Sequence, residues 1–230
     1  MDTTLATGAR PSFASEAATD ERLAFIRKVY AFLLAGLFVC GMTVYATATI
    51  PEVASIGASL WRSPLLYFAL IFGVTFGVRM VSDRYPINIP AYFILTAFYG
   101  LMLAPLVIFA EDSFPGVVAQ AGTITGVIFG GLTAYVFITK TDFSFLRGVL
   151  VVGLLSLFGV ALAGLLFGFS VGVWYSYAAV AIFSGYILYD TSNLLHRYGT
   201  HQYVTAAIAL FIDVVILFKH ILLILMRSRD

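Results

Sequence analysis

The sequence predicts an all-α integral membrane protein with seven transmembrane helices. Three observations carry this: charge too sparse to coat a soluble globule, seven long apolar runs, and positive residues that concentrate in alternate connections. Of 230 residues, 61% are hydrophobic and 11% charged, against roughly 25% charged in an average soluble domain. Mean hydropathy is +0.98. With 13 Lys and Arg against 12 Asp and Glu, the net charge is +1, so no excess of either sign attracts nucleic acid or an acidic substrate. The single cysteine, Cys40, lies in an apolar run and makes neither an intrachain disulfide nor a cysteine-rich metal site.

In chain order, residues 1–28 are polar and rich in Ser, Thr and Ala. They lack the short apolar core of a secretory signal, so they read as a retained, mobile N-terminal tail. A transmembrane domain over residues 29–226 follows, and residues 227–230 form a short C-terminal tail. A bilayer core of roughly 30 Å needs about 20 mainly apolar residues in a helix. Runs of that kind cover residues 29–49, 65–81, 89–110, 117–138, 149–169, 171–189 and 203–225. The second is short and Gly-rich. The fifth and sixth abut at Gly168-Phe169-Ser170-Val171-Gly172, which beside Trp174 and Tyr175 reads as a tight interfacial turn. None alternates polar with apolar as a membrane β-strand does.

Glycines at four-residue spacing, Gly73/Gly77, Gly122/Gly126/Gly130 and Gly164/Gly168, predict close helix packing within the bundle. Pro105 predicts a kink in the third helix. No internal repeat supports an inverted-repeat transporter.

Positive residues are retained in the cytoplasm, so they set the orientation. Arg10, Arg22, Arg27 and Lys28 precede the first run, Arg79 and Arg84 flank the second connection, Lys140 and Arg147 the fourth, and Arg197 the sixth. These share a predicted cytoplasmic side. The third connection holds Glu111 and Asp112, the fifth holds no charge, and the first sets Arg62 against Glu52. Seven spans then leave Arg227 and Arg229 outside, against the rule. Six spans with one run lying in the membrane is the alternative count.

An ionisable side chain in hydrocarbon costs at least about 2.5 kcal/mol, so each one inside a run asks for a partner or a water path. The list is Asp190, Asp213, Lys219 and His220, with Arg79 at the edge of the second run. If the sixth and seventh helices form a hairpin turning near Gly199 and Thr200, Asp190 and Asp213 differ in depth by only about 5 Å at 1.5 Å per residue. Two carboxyls so placed can share a proton. Desolvation and mutual repulsion both oppose a double negative charge, so their protons leave in coupled steps. The competing reading has each Asp bonded to its own neighbours, with Asp190 in water at the helix end. Lys219 reads as a snorkelling side chain. His220, seven residues after Asp213 on the same face, either extends a polar path outward or makes one structural hydrogen bond.

Enzymatic readings fail on spacing. Lys219 follows Asp213 by six residues, about 600° of rotation, so the two do not form a retinal-type site. Ser184 and His220 lack a nucleophile turn, and no His-Glu-x-x-His is present. No cofactor and no catalytic residue is expected.

At these residues the chain resembles the Bax inhibitor-1 family, in its bacterial branch. The resemblance spans roughly residues 22–225. It rests on Thr139-Lys140-Thr141-Asp142-Phe143-Ser144-Phe145-Leu146, on Tyr186-Ile187-Leu188-Tyr189-Asp190-Thr191-Ser192, on Ala209-Leu210-Phe211-Ile212-Asp213, and on Leu103-Ala104-Pro105-Leu106. It implies seven helices with the C-terminal one at the centre, and a pH-dependent calcium leak whose proton sensor maps onto Asp190 and Asp213. These two would also meet calcium transiently as it passes. A latching arginine maps onto Arg79, with Arg84 close by. Ile216, Lys219 and His220 depart from the usual pattern, and a cation at position 219 repels an entering calcium ion. A location in a bacterial plasma membrane with the N-terminus cytoplasmic follows.

Two other functions stand beside the leak. One is an interaction protein that restrains other membrane proteins, such as a quality-control protease, docking through residues 2–21. The other is a proton-coupled transporter using Asp213 as carrier.

Overall fold

The computed structural model describes residues 19–61 and 63–229. Its helices are α1 (Thr19–Thr49), α2 (Pro51–Trp61), α3 (Pro64–Val81), α4 (Asn88–Ser113), α5 (Val117–Thr139), α6 (Arg147–Phe167, after a 3-10 turn at Ser144–Leu146), α7 (Val173–His196) and α8 (Tyr203–Arg227). Helices α1, α4, α5, α6 with its lead-in and α8 are each long and apolar enough to cross a bilayer. The shorter α3 and the more polar α7 complete seven crossings. At 1.5 Å per residue, α2 is only about 17 Å long and caps the bundle where α1 turns into α3.

The C-terminal helix is central. α8 packs against α1, α4, α5 and α7, and Ala207, Leu210, Phe211, Leu217 and Leu222 on it are fully buried. A helix apolar along most of its length suits this position, since no stripe has to face water. The surrounding helices turn large apolar side chains outward instead, among them Phe38, Phe76, Val127 and Phe167. Side chains of this kind on an outer face belong in lipid.

Successive helices reverse direction, so the bundle has two ends. The basic end gathers the start of α1, the α3–α4 and α5–α6 connections, and the α7–α8 turn. There Lys28 Nζ lies 5.6 Å from the centre of the Tyr203 ring. The opposite end holds α2, the α4–α5 connection, the glycine turn at Gly168, where φ is +74°, and the C-terminus.

The N-terminal segment and the first connection differ from expectation. Residues 19–28 continue α1 and are not a mobile tail, because Phe25 and Val29, one turn apart, are both buried and Asp20 and Glu21 complement the helix N-terminus. Residues 2–18 of the expected docking segment lie outside the described residues. The first connection is helical in α2, whose Pro51 start suits a first helical position. The helices fit the expected count of seven spans. Arg229, on the awkward side of the charge rule, donates from Nη2 to Gln120 Oε1 at 2.7 Å, at the end where α5 begins.

The glycine contacts lie elsewhere than expected. A β-carbon at Gly73, Gly77, Gly122, Gly126 or Gly130 would meet nothing within 4 Å, so these faces do not pack on another helix. Only Gly164 meets close neighbours, in its own turn at Phe169. Close helix contacts are instead at Gly36 and Gly100, where α1 and α4 cross, and at Gly153 and Gly185, where α6 and α7 cross. Gly36 faces the Tyr92 ring, and a β-carbon on Gly100 would sit 2.5 Å from the Cys40 carbonyl oxygen. Tyr92 donates across the same seam to the Phe32 carbonyl at 2.8 Å. Helix α4 continues through Pro105 without interruption.

Candidate functional site

The α7–α8 hairpin positions the two carboxyls. Asp190 is six residues before the end of α7 at His196, and Asp213 ten after the start of α8 at Tyr203. At 1.5 Å per residue they lie about 9 and 15 Å from the basic end. Their side chains are within hydrogen-bonding contact of each other. Asp213 is 4% exposed, and its Oδ2 is buried without a hydrogen-bond partner among the described residues. Asp190 is half-buried, and its Oδ1 accepts from Asn193 Nδ2 at 3.3 Å. Two ionised carboxylates have no proton to place between them, so this contact is chemically reasonable with one proton shared.

Arg79 is an exposed residue in the last turn of α3. Its charge is within electrostatic reach of both carboxyls, but among the described residues it makes no ion pair with either. The ion pair seen there joins Arg197 to Asp142 at 3.9 Å. Helix α3 is fixed near Arg79 by a clamp at the basic end. Asp83 accepts from Thr205 at 2.6 Å and from Gln202 at 3.3 Å, tying the α3–α4 connection to the start of α8.

The two remaining sequence motifs meet on the other side of the pair. Ser192 Oγ accepts from the Phe143 amide at 2.9 Å and donates to the Thr141 carbonyl at 3.2 Å. The α5–α6 connection is thereby fastened to the end of α7, two residues beyond Asp190. Asp142 accepts from the Ser144 amide at 2.9 Å. That hydrogen bond, and with it the Arg197 charge, holds the Asp142 carboxyl below the usual carboxylate range. A depressed carboxyl contributes stability above its unfolded value, and the contribution is lost only as pH falls through the lower folded value. Asp142→Asn should therefore leave any pH response between 6 and 8 unchanged while weakening the connection at neutral pH and not in acid. Thermal unfolding of parent and variant from pH 7 down to pH 3 checks this: the two should converge at the acid end.

Side chains that sequence reasoning missed surround the pair. Tyr99, Tyr186 and Tyr198 stand within electrostatic reach of Asp213. Tyr99 is 7% exposed, is hydrogen-bonded to Thr75 at 3.0 Å and lies edge-on to Phe211. Among 13 tyrosines nothing local singles it out. Asn193 was findable, because a residue three positions after Asp190 shares its helix face.

Lys219 and His220 lie away from the pair toward the opposite end. His220 is 6% exposed. Its Nδ1 is 3.3 Å from Ser176 Oγ and its ring meets Tyr175 edge-on, so it makes the single structural hydrogen bond weighed against an outward polar path. Both residues line a cavity of about 660 Å³ that reaches Tyr99 and Val215 at its inner end. Tyr99 thus lines the cavity and lies within electrostatic reach of Asp213. No group of three or more metal-ligating side chains occurs among the described residues.

Residues 22–230 match the protein family described as Inhibitor of apoptosis-promoting Bax1. The chain is 36% identical over 221 residues to Bax inhibitor 1 of Schizosaccharomyces pombe, covering 92% of this chain and 79% of that protein. It is 33% identical over 218 residues to Protein lifeguard 4 of Mus musculus, with coverage of 92% and 88%. A membrane protein of Vibrio cholerae is 31% identical over 201 residues, with coverage of 84% and 88%.

Proposed function

The chain belongs to the Bax inhibitor-1 family, and on that premise we propose that it is a pH-dependent calcium leak gated by a proton shared between Asp190 and Asp213. The observation that carries this reading is the contact between two carboxyls from different helices, one of them fully enclosed in the bundle. A buried pair of this kind has little reason to persist as mere packing, since an apolar pair of similar volume costs less.

In this reading the shared proton holds α7 against α8 and closes the basic half of the bundle. Arg79 is the latch, able to swing onto whichever carboxylate is left charged. Loss of the proton sets two negative charges side by side, and loss of the latch leaves them unbalanced. Either change parts the helices and opens a path. Calcium suits that path because it prefers hard oxygen ligands, which the carboxylates and nearby carbonyls supply in passing. The protein acts without catalytic chemistry. Its basic end faces the cytoplasm of a bacterial cell, and the leak crosses the plasma membrane.

Tyr99 closes the route from the other side. Held by Thr75 and Phe211, it lines the cavity within electrostatic reach of Asp213 and acts there as an apolar constriction does in a gated pore. Tyr99→Ala should raise calcium entry at both pH 6 and pH 8 in liposomes loaded with a calcium dye. Unchanged flux would mean that the route runs elsewhere. The reading as a whole is tested in the same vesicles with Asp213→Asn.

A further inference from the structure

The cavity that ends at Tyr99 carries basic side chains. Lys219 and Arg227 line it together with His220, and no acidic side chain among the described residues does. The Lys219 ammonium makes no hydrogen bond or ion pair among the described residues, although the residue is half-buried. An ammonium so placed at membrane depth asks for a counter-charge.

Most of the remaining lining is apolar. Phe68 and Phe72 of α3 face Phe158 of α6, with ring centroids 6.5 and 4.9 Å apart, and Leu157 and Ala161 continue the wall. Phe72 and Leu154 are 52% and 41% exposed on the outer face of the bundle, which gives the cavity a side entrance from the bilayer. Its volume of about 660 Å³ falls within the roughly 300–1,000 Å³ usual for small-molecule sites.

We propose that this cavity binds a long-chain fatty carboxylate taken from the surrounding bilayer, with the chain between α3 and α6 and the carboxylate on Lys219. The Ser176 hydroxyl, beside His220, is a second donor for the head. Depth selects this occupant over a phospholipid. Lys219 precedes Arg227 by eight residues, placing it about 12 Å inward from the end of α8. A phospholipid head stays at the level of the membrane surface, whereas a carboxylate is small enough to follow its chain inward. Charge complementarity supplies the rest: an anionic head balances a cation that no described residue of the protein balances.

The test uses the purified full chain in phosphatidylcholine nanodiscs, with radiolabelled oleate as probe and oleyl alcohol and dioleoyl phosphatidate as competitors. Saturable binding of one oleate per chain is expected. Lys219→Met should weaken it roughly tenfold or more, the scale of one charge-assisted contact, while Lys219→Arg should retain it. Ala161→Phe, which fills the apolar section without touching the cation, should also abolish binding. Oleyl alcohol should compete poorly. Equal, unsaturable uptake by the parent, Lys219→Met and Ala161→Phe would overturn the proposal. So would phosphatidate displacing oleate at lower concentration, since the occupant would then be a phospholipid. If Lys219→Met does not yield folded protein, Ala161→Phe and the alcohol comparison decide by the same criteria.

Discussion

Asp213→Asn should abolish the pH response of calcium flux. In proteoliposomes the parent protein should pass calcium at rates differing by at least about fivefold between pH 6 and pH 8. This asks for only part of the hundredfold or so change in proton occupancy that two pH units can impose on a titrating pair. The asparagine keeps the volume and one carbonyl acceptor but cannot ionise, so the coupled step disappears and the two rates should coincide. Asp190→Asn should behave similarly, since either substitution leaves a single titrating group. Asp142→Asn is the matched control, because that carboxyl lies at the basic end, outside the pair, and its charge is stabilised by the Ser144 amide. A parent-like pH response in Asp213→Asn would remove the pair from the gate.

The largest structural effect is expected at the α1–α4 seam. Gly100→Ala places a β-carbon 2.5 Å from a backbone carbonyl oxygen and 2.8 Å from Thr43 Cβ. The carbonyl belongs to a helix and cannot rotate away, so α1 and α4 must move apart. Overpacking of this kind costs about 1–3 kcal/mol, and the Tyr92 hydrogen bond to Phe32 is strained with it. Gly126→Ala makes the contrasting case. Nothing lies within 4 Å of a β-carbon there, and alanine favours helix by up to about 1 kcal/mol. Thermal unfolding in detergent should show Gly100→Ala falling well below the parent and Gly126→Ala level with it or above. The reverse order would contradict the seam.

These two predictions also mark what the sequence made legible. The carboxyl pair was readable because a charge inside an apolar run is costly and the hairpin brings both to one depth. The estimate of about 5 Å from chain counting is close to the difference of about 6 Å from the helix ends. The glycine seam was not readable. A helix face turned toward lipid and one turned toward another helix have the same apolar composition, so the regular Gly122/Gly126/Gly130 stripe drew attention while the isolated Gly36 and Gly100 carry the contact. Positive charge set the two ends correctly relative to each other but counted Arg229 against a seventh span, because it does not register a side-chain partner such as Gln120. Tyr99 and Asp83 act through residues more than 100 positions away along the chain, Asp213 and Thr205 respectively. No local pattern announces contacts of that kind.

The central claim is that Asp190 and Asp213 touch when the path is closed and part when it opens. Structures of the protein in lipid nanodiscs at pH 6 and pH 8 measure this directly through the separation of the two carboxyls. The account predicts hydrogen-bonding contact at one pH and separated side chains at the other, with Arg79 moved onto a carboxylate or away from both. Identical separations at the two values would contradict it.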